Sequence, residues 1–371
     1  MKIAIDAREL AGKPTGVGRF LAEILAAWKT MPEAQAHEFI LCAPGDDGPS
    51  TSLRAGGTMW EQLRLPRLVR DARADVLFAP GYSGPIVCPV PMVVAIHDVS
   101  FAAHPEWFSW REGARRRTTA RLSARAAARV VTISQFSKRE IVAHLGIDGS
   151  KIVVSYPGAT KMVCGVRAPG SCSNQDRRPE TEDRRPTVLF VGSIFNRRHV
   201  PELIDGFARL ARAHTDARLD IVGENRTSPH VDLVDVMRTT GLADRVGLRS
   251  YVSDDELRAI YDGASAFVFL SEYEGFGLTP LEALAAGVPV LLLDTPVARE
   301  TCGDAAMYVA RPDPALIEAA LTRLLFDPVE RTRILTASQR VLARYSWTDC
   351  ARQVLDILVS CGARIRGSRS A

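Results

Sequence analysis

The feature that most constrains this chain is a repeated alternation. Short continuous apolar runs, each closed by turn residues, are separated by stretches with helical spacing. The runs are Lys2 to Ile5, Phe39 to Cys42, Val76 to Phe78, Val93 to Ile96, Val130 to Ile133 and Lys151 to Tyr156, then Val188 to Ser193, Leu219 to Val222, Val246 to Tyr251, Ala266 to Leu270 and Val288 to Leu293. A strand apolar along its whole length is buried on both faces, as in a parallel sheet whose crossovers are helices. Residues 161–186 break the pattern: they carry Pro, Gly, Ser, Asn, Gln and many charges with no hydrophobic period, which reads as a linker. The expected fold is α/β, with two facing Rossmann-like doubly wound domains and a cleft between them. The first spans 1–160 and the second 187–346, and a last helix over 347–365 packs back on the first. A length of 371 residues suits two cores better than one.

Composition narrows the class of protein. The chain is 46% hydrophobic and 24% charged with a formal net charge of +4, which gives no argument for a nucleic-acid partner. There is no apolar run of about 18 residues and no signal-peptide core at the N-terminus, so a cytoplasmic protein is expected. The seven cysteines are scattered, odd in number and without a CxxC pair, which argues against a structural zinc or a disulfide framework. A helix over Arg111 to Val130 carries arginines at 111, 115, 117, 121, 125 and 129, with Leu122, Ala126 and Val130 on another face. This stripe reads as a solvated face or as peripheral contact with anionic lipid at the inner side of a membrane. Ser137 and Glu140 have capping-box spacing.

The stretch from Leu270 to Val290 carries most of the candidate chemistry. It reads as strand end, glycine loop, short helix and next strand, with Thr279 expected as N-cap, Pro280 in the first turn and Gly287 ending the helix. Gly275 and Gly277 permit close backbone approach to an anion at the helix start. Glu274 and Glu282 stand with seven residues between them; Thr279 and Glu282 also have the spacing of a capping box, which needs no ligand. Earlier strand ends add further groups. Gly16 and Gly18 form a βα glycine loop, His97 and Asp98 follow the fourth run, and Gly192 leads to Asn196-Arg197-Arg198-His199. Two guanidiniums at a strand end suit a diphosphate, and carboxylates suit sugar hydroxyls. A loop over the following residues is expected to carry Glu300, Gly303 and Asp304, with helices filling the rest.

These motifs resemble the retaining glycosyltransferases of family 4 (GT4), whose fold is the two-domain GT-B arrangement, over nearly the whole chain. Glu274 through Glu282 looks like that family's E-x7-E motif, Thr15 to Phe20 like its N-terminal glycine loop, and Ile96 to Ser100 like the His-Asp of mannosyltransferase-like members. Ile133 to Ser137 and Trp347 are also similar. The resemblance implies that Glu282 binds ribose hydroxyls and that Glu274 contacts the donor sugar. It implies that Gly275, Phe276, Gly277, Leu278 and Thr279 present backbone to sugar and diphosphate, with Gly192 and Gly16 also on the donor. Arg197 and Arg198 match an Arg-Lys pair at the diphosphate, although the usual lysine is Arg198 here and the usual asparagine is His199.

The implied reaction is retaining transfer of a hexose from a nucleotide-diphosphate sugar to a glycan or lipid-linked acceptor in cell-surface polysaccharide synthesis. Its charge stabilisation would come from arginines and amides, with no metal and no cofactor. Catalytic roles fall to His97, Arg197, Arg198 and Glu274, and GDP-mannose is the favoured donor because of His97-Asp98. The competing readings are a transferase using a UDP-sugar, a GT-B sugar-nucleotide epimerase and a non-catalytic sugar-binding protein.

Overall fold

In a computed structural model, residues 1–11, 16–45, 57–159 and 185–369 are described. The chain divides into two compact units, residues 1–158 with 345–371, and residues 159–344. The expected linker falls almost wholly outside the described residues, as do Lys13, Pro14 and Thr15 of the first glycine loop.

The first unit is a six-stranded parallel sheet in the order β2-β1-β3-β4-β5-β6. Its strands are β1 (Lys2–Asp6), β2 (Glu38–Cys42), β3 (Val76–Ala79), β4 (Met92–Ala95), β5 (Arg129–Thr132) and β6 (Ile152–Val154). β3 and β4 are buried at every residue, which is why their sequences are continuously apolar rather than alternating. The chain turns outward to β2 and then back to β3, so the switch point lies between β1 and β3.

Helix α1 (Gly16–Thr30) buries Phe20, Leu21, Ile24 and Trp28 at helical spacing. The long last helix, α13 (Trp347–Arg369), packs on it: the Trp28 indole Nε1 donates to the Ala351 carbonyl at 2.9 Å, closing a bond across 323 residues of sequence. Gly158 is packed so closely on this helix that a Cβ would lie 2.4 Å from the Trp347 nitrogen.

The second unit is also a six-stranded parallel sheet, ordered β12-β11-β10-β7-β8-β9. Its strands are β7 (Thr187–Val191), β8 (Arg218–Val222), β9 (Val246–Arg249), β10 (Ala266–Phe269), β11 (Val290–Leu293) and β12 (Met307–Val309). Counted from its first strand, this is the order 3-2-1-4-5-6 read from one edge, with the switch point between β7 and β10. Groups that follow these two strands therefore share one crevice.

Several local expectations are corrected. The last strand, β12, lies where only helices were expected; with three residues it is too short to show a period. Helix α4 (Trp110–Ala126) ends before Val130, which belongs to β5, and it buries Gly113, Ala120, Ser123 and Ala124 while Leu122 is 38% exposed. Small residues turned to the sheet allow close packing there, so the larger Leu122 is a misleading guide to the buried face. Helix α5 (Gln135–Leu145) is capped by Ser134, which accepts from the Ser137 nitrogen at 2.9 Å, so Ser137 and Glu140 form no capping box. Ser137 donates through its hydroxyl to the His97 carbonyl at 2.8 Å. Glu300 stands on helix α10 (Pro296–Cys302), not in a loop.

Candidate functional site

The crevice of the second unit is built by two loops. After β7 the chain passes Gly192, whose φ is +144°, and Ser193, makes a short 3-10 turn over Asn196–Arg198, and enters helix α6 (Val200–Ala213) through His199. A Cβ on Gly192 would lie 2.8 Å from Arg198 Nη1, so the glycine makes room for the guanidinium to fold back over the strand end. There Nη1 donates to the Ser193 carbonyl at 2.7 Å.

The second loop follows β10 and runs from Leu270 to Gly277. It is joined to the first at three successive points. The Glu272 nitrogen donates to the Arg197 carbonyl at 3.0 Å. Arg198 donates from Nε and Nη2 to Glu274 Oε1 at 2.9 and 2.7 Å, with the two side chains only 12% and 20% exposed. His199 Nε2 meets Glu272 Oε1 at 2.9 Å while its Nδ1 meets Glu202 Oε1 at 3.2 Å. Burial by itself lowers the His199 pKa, but the hydrogen bonds to Glu202 and Glu272 outweigh it and raise the value.

The Ser271 hydroxyl reaches the same Glu274 oxygen at 2.8 Å. All three donors converge on Oε1, and Oε2 receives no bond from the described residues. Glu274 also lines, with Ser271, Phe276, Gly277 and Thr295, a small recess of about 20 Å³ at the ends of β10 and β11. Arg197 lies beside this pair, its guanidinium carbon 4.2 Å above the Phe195 ring.

Helix α9 (Leu278–Ala285) begins earlier than expected. Gly277, at φ +94°, is the N-cap, and no side chain caps the helix. Thr279 and Pro280 are inside it, so Thr279 and Glu282 cannot close a capping box: one left-handed glycine starts the helix two residues ahead of the predicted cap. The uncapped first turn, with Leu278 and Thr279, keeps amide groups and dipole for an anion. The C-terminal expectation holds. Gly287, at φ +74°, donates to Leu284 and Val288 donates to Ala283, a Schellman ending. Glu282 is only 1% exposed and accepts from the Tyr261 hydroxyl at 3.4 Å. Phe276 is core, 2% exposed, and Gly275 lies in the loop between.

In the first unit, His97 follows β4 and is 7% exposed. Its Nε2 lies 2.8 Å from the Pro80 carbonyl, which can only accept, so the proton is on Nε2 and the neutral ring keeps Nδ1 as an acceptor. Burial lowers its pKa, and its ring is edge-on to Phe20 at 4.7 Å. Asp98 does not hold this histidine; it accepts from the Tyr82 hydroxyl at 2.7 Å and from the Ser100 nitrogen at 2.9 Å. Gly16 is the first, exposed residue of α1.

A second pocket, of about 400 Å³, opens at the switch point of the first sheet and is lined by Arg8, Glu9, Glu61, Tyr82, Arg115 and Arg116 among others. Arg8 Nη2 bridges Asp6 Oδ2 and Glu61 Oε2, each at 2.6 Å, and both carboxylates are 3% exposed. Burial raises the Asp6 pKa against the pull of Arg8. Sequence reading missed this network and missed Ser271 and Glu272. Asp6, a charge placed directly at the end of an apolar first strand, was the available signal; Glu61 comes from a distant helix and had none.

Two parallel doubly wound sheets, each with chemistry at its switch point, define the GT-B class of glycosyltransferase. The comparisons with known proteins agree. The family model described as "Glycosyltransferase Family 4" matches residues 14–160, and "Glycosyl transferases group 1" matches residues 173–341. The chain belongs to glycosyltransferase family 4.

Among its relatives, O-antigen chain mannosyltransferase B of Escherichia coli is 26% identical over 96% of this chain and 99% of its own. Glycogen synthase of Mycobacterium tuberculosis is 28% identical over 90% of this chain and 79% of its own. In fold, the chain is similar to HepE from Anabaena in complex with UDP and glucose, with a TM-score of 0.71 at 18% identity over 97% of this chain and 100% of that one. It is also similar to WaaG, a glycosyltransferase involved in lipopolysaccharide biosynthesis, with a TM-score of 0.69 at 17% identity over 96% and 99%.

Proposed function

We propose that this glycosyltransferase moves a hexose, with retention, from a nucleotide-diphosphate sugar to a hydroxyl of a glycan or lipid-linked acceptor, and that the donor is GDP-mannose. The observation that carries the donor-site reading is the meeting of Glu274, Arg197 and the uncapped start of α9 at the β7/β10 switch point. A mannosyltransferase relative matched over nearly its whole length supports the choice of sugar.

On this reading Arg197 and the first amides of α9 meet the charge that develops on the leaving diphosphate, which is the main stabilising effect expected of such a site. No metal is assigned a part. Glu274 Oε2 accepts from a sugar hydroxyl, and Glu282 binds ribose once the nucleotide displaces Tyr261 from it. The bond from C1 to the diphosphate breaks as the acceptor oxygen bonds C1 on the same face, and the leaving phosphate takes the acceptor proton. His97, with Nδ1 as acceptor, serves a hydroxyl at the strand end of the first unit. The acceptor occupies the 400 Å³ pocket there, whose mixed charges suit a hydroxyl-rich molecule.

Thermal unfolding in the presence of GDP-mannose, GDP, UDP-glucose and UDP tests the donor. Ligand at about a hundred times its Kd adds about 2.7 kcal/mol of stability, so GDP-mannose should raise Tm the most. A larger rise with UDP-glucose would replace the mannose assignment. Arg197→Gln should reduce the rise from GDP and UDP alike.

A peripheral membrane contact through α4 is part of the proposal. Trp110 is 77% exposed beside Arg111, an aromatic and a cation placed as at a headgroup surface. Pelleting with anionic but not with neutral vesicles is the expected result.

A further inference from the structure

We propose that the acceptor presents a sugar ring, that this ring rests on the Tyr82 phenol, and that Asp98 is the positioning residue that holds the phenol in place. The inference rests on the acceptor reading above, which puts the acceptor in the 400 Å³ pocket of the first unit. Its ground is a backbone outlier. Tyr82 has a φ of +65°, a left-handed conformation that costs a bulky residue free energy and costs a glycine almost none. The other such non-glycine positions among the described residues, Arg73 and His199, stand at helix ends, where this conformation closes or opens a helix. Tyr82 stands in neither place, and its neighbour Gly81 could have made the turn without strain. A strained backbone kept under a tyrosine points to its side chain as what the position needs.

That side chain is held from several directions. Tyr82 follows β3 by three residues and Asp98 follows the adjacent β4 by three, so the two meet across neighbouring strand ends. The phenol donates to Asp98 Oδ2 at 2.7 Å, and the other oxygen of that carboxylate accepts from the Ser100 nitrogen and hydroxyl at 2.9 and 2.7 Å. The Tyr82 nitrogen donates to the Ala95 carbonyl at 2.9 Å. The rings of His97 and Phe101 stand nearly perpendicular to the phenol, with centroids 5.6 and 6.3 Å away. Tyr82 is half-buried, and it forms the pocket wall together with Glu9, Glu61 and Ser83.

An aromatic face is apolar and carries negative charge density, so it receives C–H groups well. A pyranose offers such groups on one face and hydroxyls around its rim. Two carboxylates and a serine set about one fixed phenol match that pattern, whereas an acyclic polyol has no face to lay on the ring. The seat lies beside His97, to which the reading above gives a hydroxyl.

Saturation-transfer NMR on the full chain tests the proposal. The probes are the methyl α-glycosides of mannose, galactose, glucose and N-acetylglucosamine, with mannitol as the acyclic control. At least one glycoside should bind the wild type, and mannitol should bind about tenfold more weakly or less. Tyr82→Ala should weaken that glycoside about tenfold, the size of one lost ring contact. Tyr82→Phe keeps the ring but unties it from Asp98, and should cost about threefold, as should Asp98→Asn. The double variant should lose no more than either, because both act through one bond. Cooperative thermal unfolding shows that each variant is folded; if Tyr82→Ala is not, the Tyr82→Phe and Asp98→Asn cycle decides.

A purely structural Tyr82 would lower Tm and leave glycoside affinity unchanged, and that result would overturn the proposal. So would a wild type that binds none of the glycosides, or one that binds mannitol as tightly. The donor reading is judged separately, by whether GDP, UDP or their sugar forms raise Tm at all.

Discussion

At the residue scale, the site depends on where single atoms can go. A methyl at Gly192 would collide with Arg198 Nη1 at 2.8 Å, and the residue sits at φ +144°. Gly192→Ala should therefore weaken binding of the sugar nucleotide by moving Arg198, with a fall in stability of about 1 to 2 kcal/mol from the backbone conformation; calorimetry and urea unfolding measure the two. The two histidines give opposite pH signs. His97 has a depressed folded pKa, so the unfolded chain takes up its proton first, and stability is lost as pH falls below about 6.5 toward the folded value. His199 has a raised one, so its contribution is full below about 6.5 and is lost as pH rises through the folded value. Unfolding free energy against pH should fall less on acidification in His97→Gln and fall less on alkalinisation in His199→Gln.

At the scale of elements, the switch-point loops concentrate buried charge. Arg8 is the only cation bonded to both Asp6 and Glu61 among the described residues, and removing it leaves two desolvated carboxylates together. Arg8→Ala should cost about 3 to 5 kcal/mol at neutral pH, less in acid, where Asp6 protonates readily because burial raises its pKa; urea unfolding at two pH values is the measurement. Helix α9 shows what local sequence could and could not tell. Its end was legible because Gly287 sits in a Schellman turn that only nearby backbone defines. Its start was not: Thr279-Pro280 is a good cap pair, yet Gly277 at φ +94° begins the helix sooner because the loop from β10 enters at an angle that a left-handed residue must turn.

At the scale of the whole molecule, the chain's two ends belong to one unit. Helix α13 covers α1 through Trp28 and the Ala351 carbonyl. A chain cut after Arg344 should lose the first unit's cooperative unfolding, because Trp28, 1% exposed in the full chain, would be uncovered; limited proteolysis within residues 1–158 would report it.

Continuous apolar runs with glycine or charge at their ends determined a parallel α/β architecture, since only strands buried on both faces carry such runs. The E-x7-E spacing likewise placed Glu274 and Glu282 on one loop and helix, because a helix start is a local event. What tertiary structure decided is who bonds to whom. Arg198 reached Glu274, Glu282 went under Tyr261, and Glu61 came to Arg8 and Asp6, each through a partner far away in sequence. Hydrogen-bond direction depends on where the sheet order brings strand ends, and that order is a property of the packed chain. The stretch around Glu274 marks a candidate site; the fold turns one oxygen of that carboxylate to Arg198 and Ser271.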